Sequence, residues 1–178
     1  MPLAEGFTLW YTVSRRGNVM NRKIWRIYVD SSVVSGVFDH HMPERVEQAR
    51  LFWQSVADGK IRIIASDVLD EELADAPQHI QDFFDNLPES QIERIILTDE
   101  VKELSERYIA EGIVGESNLN DCRHVAFATF AEADVLVSWN FRHIVKLNKI
   151  YRYNAINKLL GYREIEIRTP EEVSYDEN

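Results

Sequence analysis

The sequence predicts an α/β domain, a three-layer α/β/α sandwich built on a mainly parallel sheet. From residue 23 onward, short apolar runs of strand length alternate with longer stretches of helical periodicity. This alternation is typical of right-handed crossovers and of a parallel sheet covered by helices on both faces. The chain has 178 residues, of which 45% are hydrophobic, so it is long and apolar enough to bury a core without disulfides.

The elements follow in order along the chain. The apolar runs predict strands at residues 24–30, 61–65, 92–97, 135–138 and 165–167. The periodic stretches between them predict helices at residues 43–57, 67–87 with a break near Pro77, 99–110, 118–131 and 146–160. Each helix thereby connects two successive strands, as a three-layer sandwich requires.

Residues 1–19 precede this alternation and show no sustained periodicity. They are predicted to be a loosely attached N-terminal extension, which leaves residues 20–178 as a single domain. The apolar run at residues 7–13 is too short to span a bilayer, so neither a membrane segment nor a signal peptide is expected. Cys122 is the only cysteine, which excludes a disulfide framework and a thiolate zinc cluster and favours a cytoplasmic location.

Polar side chains stand at the predicted carboxyl edge of the sheet, where open parallel sheets bind ligands. Asp30, Ser31 and Ser32 follow the first strand, Asn140 follows the fourth, and Asp121 begins the helix before it. Any one of these residues alone would be interpreted as a helix cap. Their coincidence at one edge indicates a site.

Two of the acidic side chains are predicted to point inward. On a helix, Glu72 shares the face of Val68 and Leu69, while the neighbouring acids take the opposite face: Asp67, Asp70, Glu71 and Asp75. Asp121 is likewise in line with the apolar residues of its helix. A carboxylate on a buried face is costly unless it is paired, hydrogen-bonded or bound to a metal.

No lysine or arginine close in sequence obviously neutralises Asp30, Glu72 and Asp121, although Arg123 or Arg142 could reach them in the fold. Clustered carboxylates suit hard cations such as Mg²⁺ or Mn²⁺, which prefer oxygen ligands. A cation held in this way activates water and offsets the charge that develops on a phosphodiester. The pattern therefore favours nuclease chemistry.

Four motifs occur in order along the chain: residues 29–32 (Val-Asp-Ser-Ser), Glu72-Leu73 followed by Ala76-Pro77, residues 120–126 (Asn-Asp-Cys-Arg-His-Val-Ala) and residues 137–141 (Val-Ser-Trp-Asn-Phe). Together they resemble the motifs of the PIN-domain family, most closely the VapC-like toxin ribonucleases. The resemblance covers roughly residues 24–170. It implies an endoribonuclease that depends on Mg²⁺ or Mn²⁺, is usually a homodimer and is often restrained by a cognate antitoxin protein.

The resemblance also implies roles for individual residues. Asp30, Glu72 and Asp121 would be the metal ligands, and the hydroxyl of Ser31 or Ser32 would orient ligand or phosphate. Asn140 stands where many members of the family carry a fourth acid. An amide supplies no charge there, although it can bind water or a phosphate oxygen.

Other functions remain open at this stage. A PIN-like module that binds RNA or protein without cleaving it would tolerate Asn140, whereas it would not need to keep Asp30 and Asp121. A haloacid-dehalogenase phosphatase would carry a second acid where this chain has Ser32. A receiver domain would carry a lysine after a later strand, and Ser138-Trp139-Asn140 offers none.

The charge distribution indicates where RNA would bind. The net charge is −10, yet residues 141–168 hold seven basic and two acidic residues. Because phosphate binding needs local positive potential, this basic segment is predicted to guide RNA to the site. The residues expected to contact RNA are Arg142, His143, Lys146 and Lys149. Tyr151 and Tyr153 are candidates for base stacking or for one face of an amphipathic helix.

Overall fold

The structure is a computed structural model that describes residues 23–173. Its sheet has five strands, all parallel, in the order β3-β2-β1-β4-β5. The strands are β1 (Trp25–Val29), β2 (Ile61–Ser66), β3 (Ile92–Ile95), β4 (Val135–Val137) and β5 (Ile167–Arg168). The predicted parallel α/β fold is confirmed.

Eight α-helices lie within the described range. They are α1 (Ser31–Ser35), α2 (Pro43–Ala57), α3 (Asp67–Ala74), α4 (Gln78–Asp85), α5 (Asp99–Ala110), α6 (Leu119–Phe130), α7 (Leu147–Leu159) and α8 (Pro170–Val173). No helix among residues 23–173 is both long enough and apolar enough to cross a membrane.

Side chains alternate along β1 and divide the interior into two cores. Ile27 and Val29 face a core completed by α1, α2 and α4. Tyr28 faces the opposite core, which α5, α6 and α7 complete. Because successive side chains of a strand point to opposite faces, this division produces the three layers that the sequence predicts.

The predicted helices at residues 43–57 and 99–110 have the predicted bounds, whereas other elements differ. The break predicted near Pro77 is present, since the stretch at 67–87 forms two helices and Pro77 is the N-cap of the second, which ends at Asp85 instead of residue 87. The helices predicted at 118–131 and 146–160 are each shorter, because their end residues are caps. The short helices α1 and α8 were not predicted.

Several strand ends differ from the predicted ones, and three of them have a physical reason in the structure. β1 ends at Val29, because Asp30 is the N-cap of α1. β3 ends at Ile95, and beyond it the backbone N–H of Leu97 donates to the Asp67 carboxylate at 2.8 Å. β5 begins at Ile167, since both backbone groups of Ile165 bond to the side chain of Asn154 instead of a strand. The predicted extension at residues 1–19 lies outside the described residues.

The turn that leaves α1 packs directly on the segment that follows β4. A Cβ atom at Gly36 would lie 2.0 Å from Cζ3 of the Trp139 ring. The backbone N–H of Trp139 also donates to Ser32 Oγ at 2.9 Å. These two contacts fix the segment that follows β1 against the segment that follows β4.

We expect Gly36→Ala to lower the free energy of unfolding by about 1–3 kcal/mol, because the added methyl group must displace a buried ring. Urea denaturation measures the effect. Gly115→Ala is the matched control, since its backbone has a negative φ and its new Cβ would lie 3.8 Å from the nearest heavy atom, Nδ2 of Asn118. Equal destabilisation of both variants would contradict this packing.

Candidate active site

Asp30 lies at the carboxyl end of the central strand and is 4% exposed. Its Oδ1 accepts hydrogen bonds from the backbone N–H and the hydroxyl of Ser32, at 3.2 and 2.5 Å. Its Oδ2 accepts one from the Ser138 hydroxyl at 2.6 Å. The carboxylate therefore caps α1 and joins the ends of β1 and β4.

Glu72 reaches the same edge from α3. Its Oε2 accepts a hydrogen bond from the Ser31 hydroxyl at 2.6 Å and lies 3.1 Å from Nε2 of His124. Glu72 is half-buried, whereas Asp70, Glu71 and Asp75 on the same turn of chain are exposed. The inward direction predicted for Glu72 from helical periodicity is the one observed.

His124 sits at the end of a buried chain of polar groups. Its Nδ1 lies 2.7 Å from the Tyr28 hydroxyl, which lies 2.7 Å from Oγ of Ser66, the N-cap of α3. His124, Tyr28 and Ser66 are all 0–1% exposed. The Nε2 of His124 faces the Glu72 carboxylate at 3.1 Å, and the two groups form an ion pair when the imidazole is protonated.

Two residues that follow β4 hold the side chain of Asp121 in place. Its Oδ1 accepts a hydrogen bond from the Asn140 amide at 2.9 Å, and its Oδ2 lies 2.7 Å from Nδ1 of His143. Asn140 Oδ1 in turn accepts from the His143 backbone N–H at 3.0 Å, and the Asn140 backbone N–H donates to Ser138 Oγ at 2.8 Å. Asn140 thus links Asp121 to Asp30 through Ser138.

Asp30, Glu72 and His124 shift one another's pKa values. Burial raises the pKa of Asp30, and the nearby His124 together with the serine hydroxyls offsets only part of this effect. For Glu72, burial alone would raise the pKa, but the His124 contact and the Ser31 hydroxyl outweigh it and lower the value. For His124, burial alone would lower the pKa, but Glu72, Asp30 and Asp121 outweigh it and raise the value.

The predicted carboxylates share one edge of the sheet but do not form a complete ligand set. Within residues 23–173, no three His, Cys, Asp or Glu side chains are arranged to hold one metal ion. Asp30, Glu72 and Asp121 instead contact hydroxyl, amide and imidazole groups of the chain. Ser31 and Ser32, predicted to orient a ligand, point their hydroxyls at two of these carboxylates.

The basic residues predicted to contact RNA differ in their surroundings. Arg142 and Lys146 are exposed near the site edge, whereas the Lys149 ammonium donates to the backbone carbonyl of Ile113. Arg152 similarly donates to backbone carbonyls just beyond the end of α5. A cation in this position stabilises the C-terminus of the helix. Of the two alternatives left open for the tyrosines of α7, Tyr153 takes the second, since it is fully buried on the packed face of its helix, whereas Tyr151 is 70% exposed.

Sequence reasoning missed the groups that support the carboxylates. Ser138 bridges Asp30 and Asn140, and Tyr28 and Ser66 lie behind His124. Tyr28 and Ser66 fall within predicted strands or their ends, where a polar side chain among buried apolar residues is a detectable signal. The structure also places His124, a residue of the third motif, against Glu72.

Comparison with known proteins gives a structural likeness but no sequence match. No protein-family model matches the chain, and no curated protein matches its sequence. The fold is similar to a chain in the crystal structure of VapBC2 from Rickettsia felis bound to a DNA fragment from their promoter, with 14% identity and a TM-score of 0.49. The likeness covers 81% of this chain and 98% of that chain. At this level it assigns no function and no residue.

We expect the stability contributed by His124 to fall as pH rises. The folded-state pKa of His124 is raised above its ordinary value of 6.5, so its contribution is complete below pH 6.5 and disappears as pH passes the folded-state value. The difference in unfolding free energy between the wild type and His124→Gln should therefore shrink on the alkaline side of pH 6.5. Urea denaturation across a pH series tests this, with the exposed His79→Gln as control. A difference that is independent of pH would contradict the charge assigned to His124.

Proposed function

We propose that this protein is an Mg²⁺- or Mn²⁺-dependent endoribonuclease of PIN-domain type and a toxin-like component of a toxin-antitoxin pair. The supporting observation is that carboxylates from the residue after β1, from α3 and from α6 converge at the carboxyl edge of a parallel sheet. Asp30 and Asp121 are linked through Ser138 and Asn140, and Glu72 is tied to the residue after Asp30. This edge is where α/β sheets bind ligands.

The donor chemistry suits a hard divalent cation. Asp30 is buried, and burial raises its pKa, so a cation close to it would remove an electrostatic cost. Asp30, Glu72 and Asp121 supply the oxygen atoms that Mg²⁺ and Mn²⁺ prefer, and would hold the ion after turning from some of their present partners. The ion would supply Lewis-acid stabilisation of charge on a phosphodiester.

The other residues of the edge would position the carboxylates and the substrate. Asn140 restrains Asp121 and adds no charge, so it acts as a positioning group in place of a fourth acid. The imidazole of His143 lies against Asp121 and is 18% exposed, so it can reach a phosphate oxygen. Arg142 and Lys146 would attract the RNA backbone to an edge that is otherwise acidic.

Protein partners belong to the same proposal. Leu147 and Tyr151 lie one turn apart on α7 and are 69% and 70% exposed. Large exposed apolar side chains at this spacing form a stripe that a second protein surface can cover. We propose that a homodimer partner or an antitoxin contacts this part of the protein.

The first test is RNA cleavage with a matched pair of neighbouring acids. Glu72→Gln should reduce the rate of metal-dependent cleavage by at least about 100-fold, because it removes a charge that would hold the cation. Glu71→Gln removes an exposed charge one residue away and should leave the rate unchanged. Single-turnover cleavage of unstructured and structured RNA, with Mg²⁺, Mn²⁺ or EDTA, measures both.

Cleavage that persists in EDTA, or at the parental rate in Glu72→Gln, would contradict the proposed function. RNA binding without cleavage by the wild type would favour the alternative, a PIN-like module that binds RNA without cutting it. In either case the unfolding transition of each variant shows whether the fold is intact.

The Asp30→Asn variant should bind the metal less well and still fold. Because the ionised Asp30 is costly to bury, we expect the metal-free variant to be at least as stable as the wild type at neutral pH. Mn²⁺ should raise the melting temperature of the wild type by mass action and that of Asp30→Asn much less. Differential scanning calorimetry with and without Mn²⁺ measures this, and an equal increase in both proteins would place the ion elsewhere.

The RNA-binding surface is tested by salt dependence. Replacing Arg142 and Lys146 with Gln should reduce the slope of log affinity against log salt by roughly 0.7 for each phosphate that the variant no longer neutralises. Binding is measured by fluorescence anisotropy in the Asp30→Asn background to block cleavage. Lys158→Gln, near the opposite end of α7, is the control. An unchanged slope in the double variant would place the RNA on another surface.

A further inference from the structure

We propose that Arg123 binds a phosphate group of the RNA, on the side of the carboxylate edge where α6 packs beside α3. The inference rests on the proposed function, because it takes RNA as the ligand of this edge. It goes beyond that function by assigning a phosphate contact to a residue outside the basic segment at residues 141–168. Its support is the charge, the burial and the position of the Arg123 side chain.

The first observation is a positive charge that no carboxylate balances. Arg123 is only partly exposed, yet within residues 23–173 its guanidinium forms no ion pair, and its hydrogen bond is to a neutral group, Oδ1 of Asn120, at 3.4 Å. The sequence left open that Arg123 neutralises the acids, but Glu72 and Asp121 lie against imidazoles instead. A partly buried charge without a counter-charge is costly. An anionic ligand would remove this cost.

The second observation concerns the nitrogens of the guanidinium. Nε of Arg123 is buried and has no hydrogen-bond partner in the described part of the chain, a cost that native proteins rarely retain. Nη1 contacts Asn120, an exposed residue, so the outer end of the guanidinium lies at the surface. The two Nη nitrogens of an arginine match two oxygens of a phosphate. The end of the side chain that a ligand can reach therefore suits a phosphate.

The third observation is the position of the guanidinium. Arg123 is the fifth residue of α6, and its side chain reaches back to Asn120, the second, on the turn that carries Asp121. Asn120 also contacts Glu72: burial raises the pKa of that carboxyl group, and Asn120 is among the hydrogen-bond donors that lower it. One side chain thus separates Arg123 from a carboxylate of the candidate active site.

The helix gives no reason for a cation at this place. The N-terminus of a helix carries a partial positive charge, so it favours anions and disfavours a guanidinium. Arg152 shows the favourable arrangement, since it donates to carbonyls just beyond the C-terminus of α5. Arg123 lies at the unfavourable end of α6. We therefore attribute Arg123 to the binding of a ligand and not to stabilisation of the fold.

Replacing Arg123 should have opposite effects on folding and on binding. Arg123→Met keeps a long apolar side chain and removes the charge and the N–H donors. Because that charge is partly buried and unbalanced, the free variant should melt at the same temperature as its parent or higher. Its affinity for single-stranded RNA should fall by roughly tenfold or more, because hydrogen bonds to a charged group are lost. Thermal unfolding and fluorescence anisotropy of the full chain, in the Asp30→Asn background, measure the two effects.

Two further variants control for indirect effects. Arg123→Met should reduce the slope of log affinity against log salt by roughly 0.7, whereas Arg123→Lys keeps the charge and should keep the slope. Arg123→Lys lacks the planar fork, so it should recover only part of the affinity. Arg107→Met removes an arginine of α5 that pairs with Glu111 at 2.8 Å, and it should leave RNA affinity unchanged.

Modified RNA tests whether the ligand is a phosphate. Oligonucleotides that carry one neutral methylphosphonate linkage, at each position in turn, are bound to the parent and to Arg123→Met. We expect one linkage whose replacement weakens binding to the parent and has little further effect on the variant, because both changes remove the same contact. Equal effects of every linkage on the two proteins would overturn the phosphate contact.

The remaining outcomes separate this proposal from the proposed function. Unchanged RNA affinity in Arg123→Met, or a melting temperature well below that of the parent, would overturn the role of Arg123 and leave the nuclease standing. Loss of self-association with unchanged RNA affinity would also overturn it, and would assign Arg123 to a carboxylate of a second copy. RNA binding that depends on Arg123, in a wild type that cuts no RNA, would support the contact and overturn the nuclease. Failure to bind RNA would overturn both.

Discussion

Asp30 places a carboxylate inside the protein at the end of the central strand, where it is almost completely shielded from water. Ionising such a group is costly, and its pKa is raised accordingly. The local structure supplies the hydrogen bonds that water would otherwise provide: the N-terminus of α1, the Ser32 hydroxyl and the Ser138 hydroxyl. The positions of α1 and of the segment after β4 therefore depend on this carboxylate.

The remaining acids are drawn to the same edge by the fold. Parallel strands end at one edge, so the segments that follow β1 and β4 meet there, and α3 and α6 begin beside them. The carboxylates of Glu72 and Asp121 lie against the imidazoles of His124 and His143, at 3.1 and 2.7 Å. In the described part of the chain, hydroxyl, amide and imidazole groups thus hold the three acids in their present positions.

Much of this was predictable because it depends on local pattern. The alternation of apolar runs and helical periods predicted the sheet and most helices, and the periodicity of α3 alone predicted that Glu72 points inward while Glu71 does not. Element ends were less predictable, because they depend on side chains distant in sequence. β5 starts late because Asn154 takes the backbone groups of Ile165, and no local pattern around residue 165 records that contact.

The side chains that contact the site residues from distant parts of the chain could not be predicted, for the same reason. The contact between Tyr28 and His124 joins residues 96 positions apart and exists only once β1 and α6 have packed. In the basic segment the charges are visible in the sequence, whereas the hydrogen bonds of Lys149 and Arg152 to carbonyls near the end of α5 are not. Charge counts alone cannot separate cations that stabilise a helix end from cations that meet a substrate.

The central claim is that this carboxylate edge binds a divalent cation. Anomalous diffraction from crystals of the full chain grown with Mn²⁺ tests it most directly. The account predicts a manganese peak among Asp30, Glu72 and Asp121. A well-occupied peak elsewhere, or none at this edge with Mn²⁺ in excess, would contradict it.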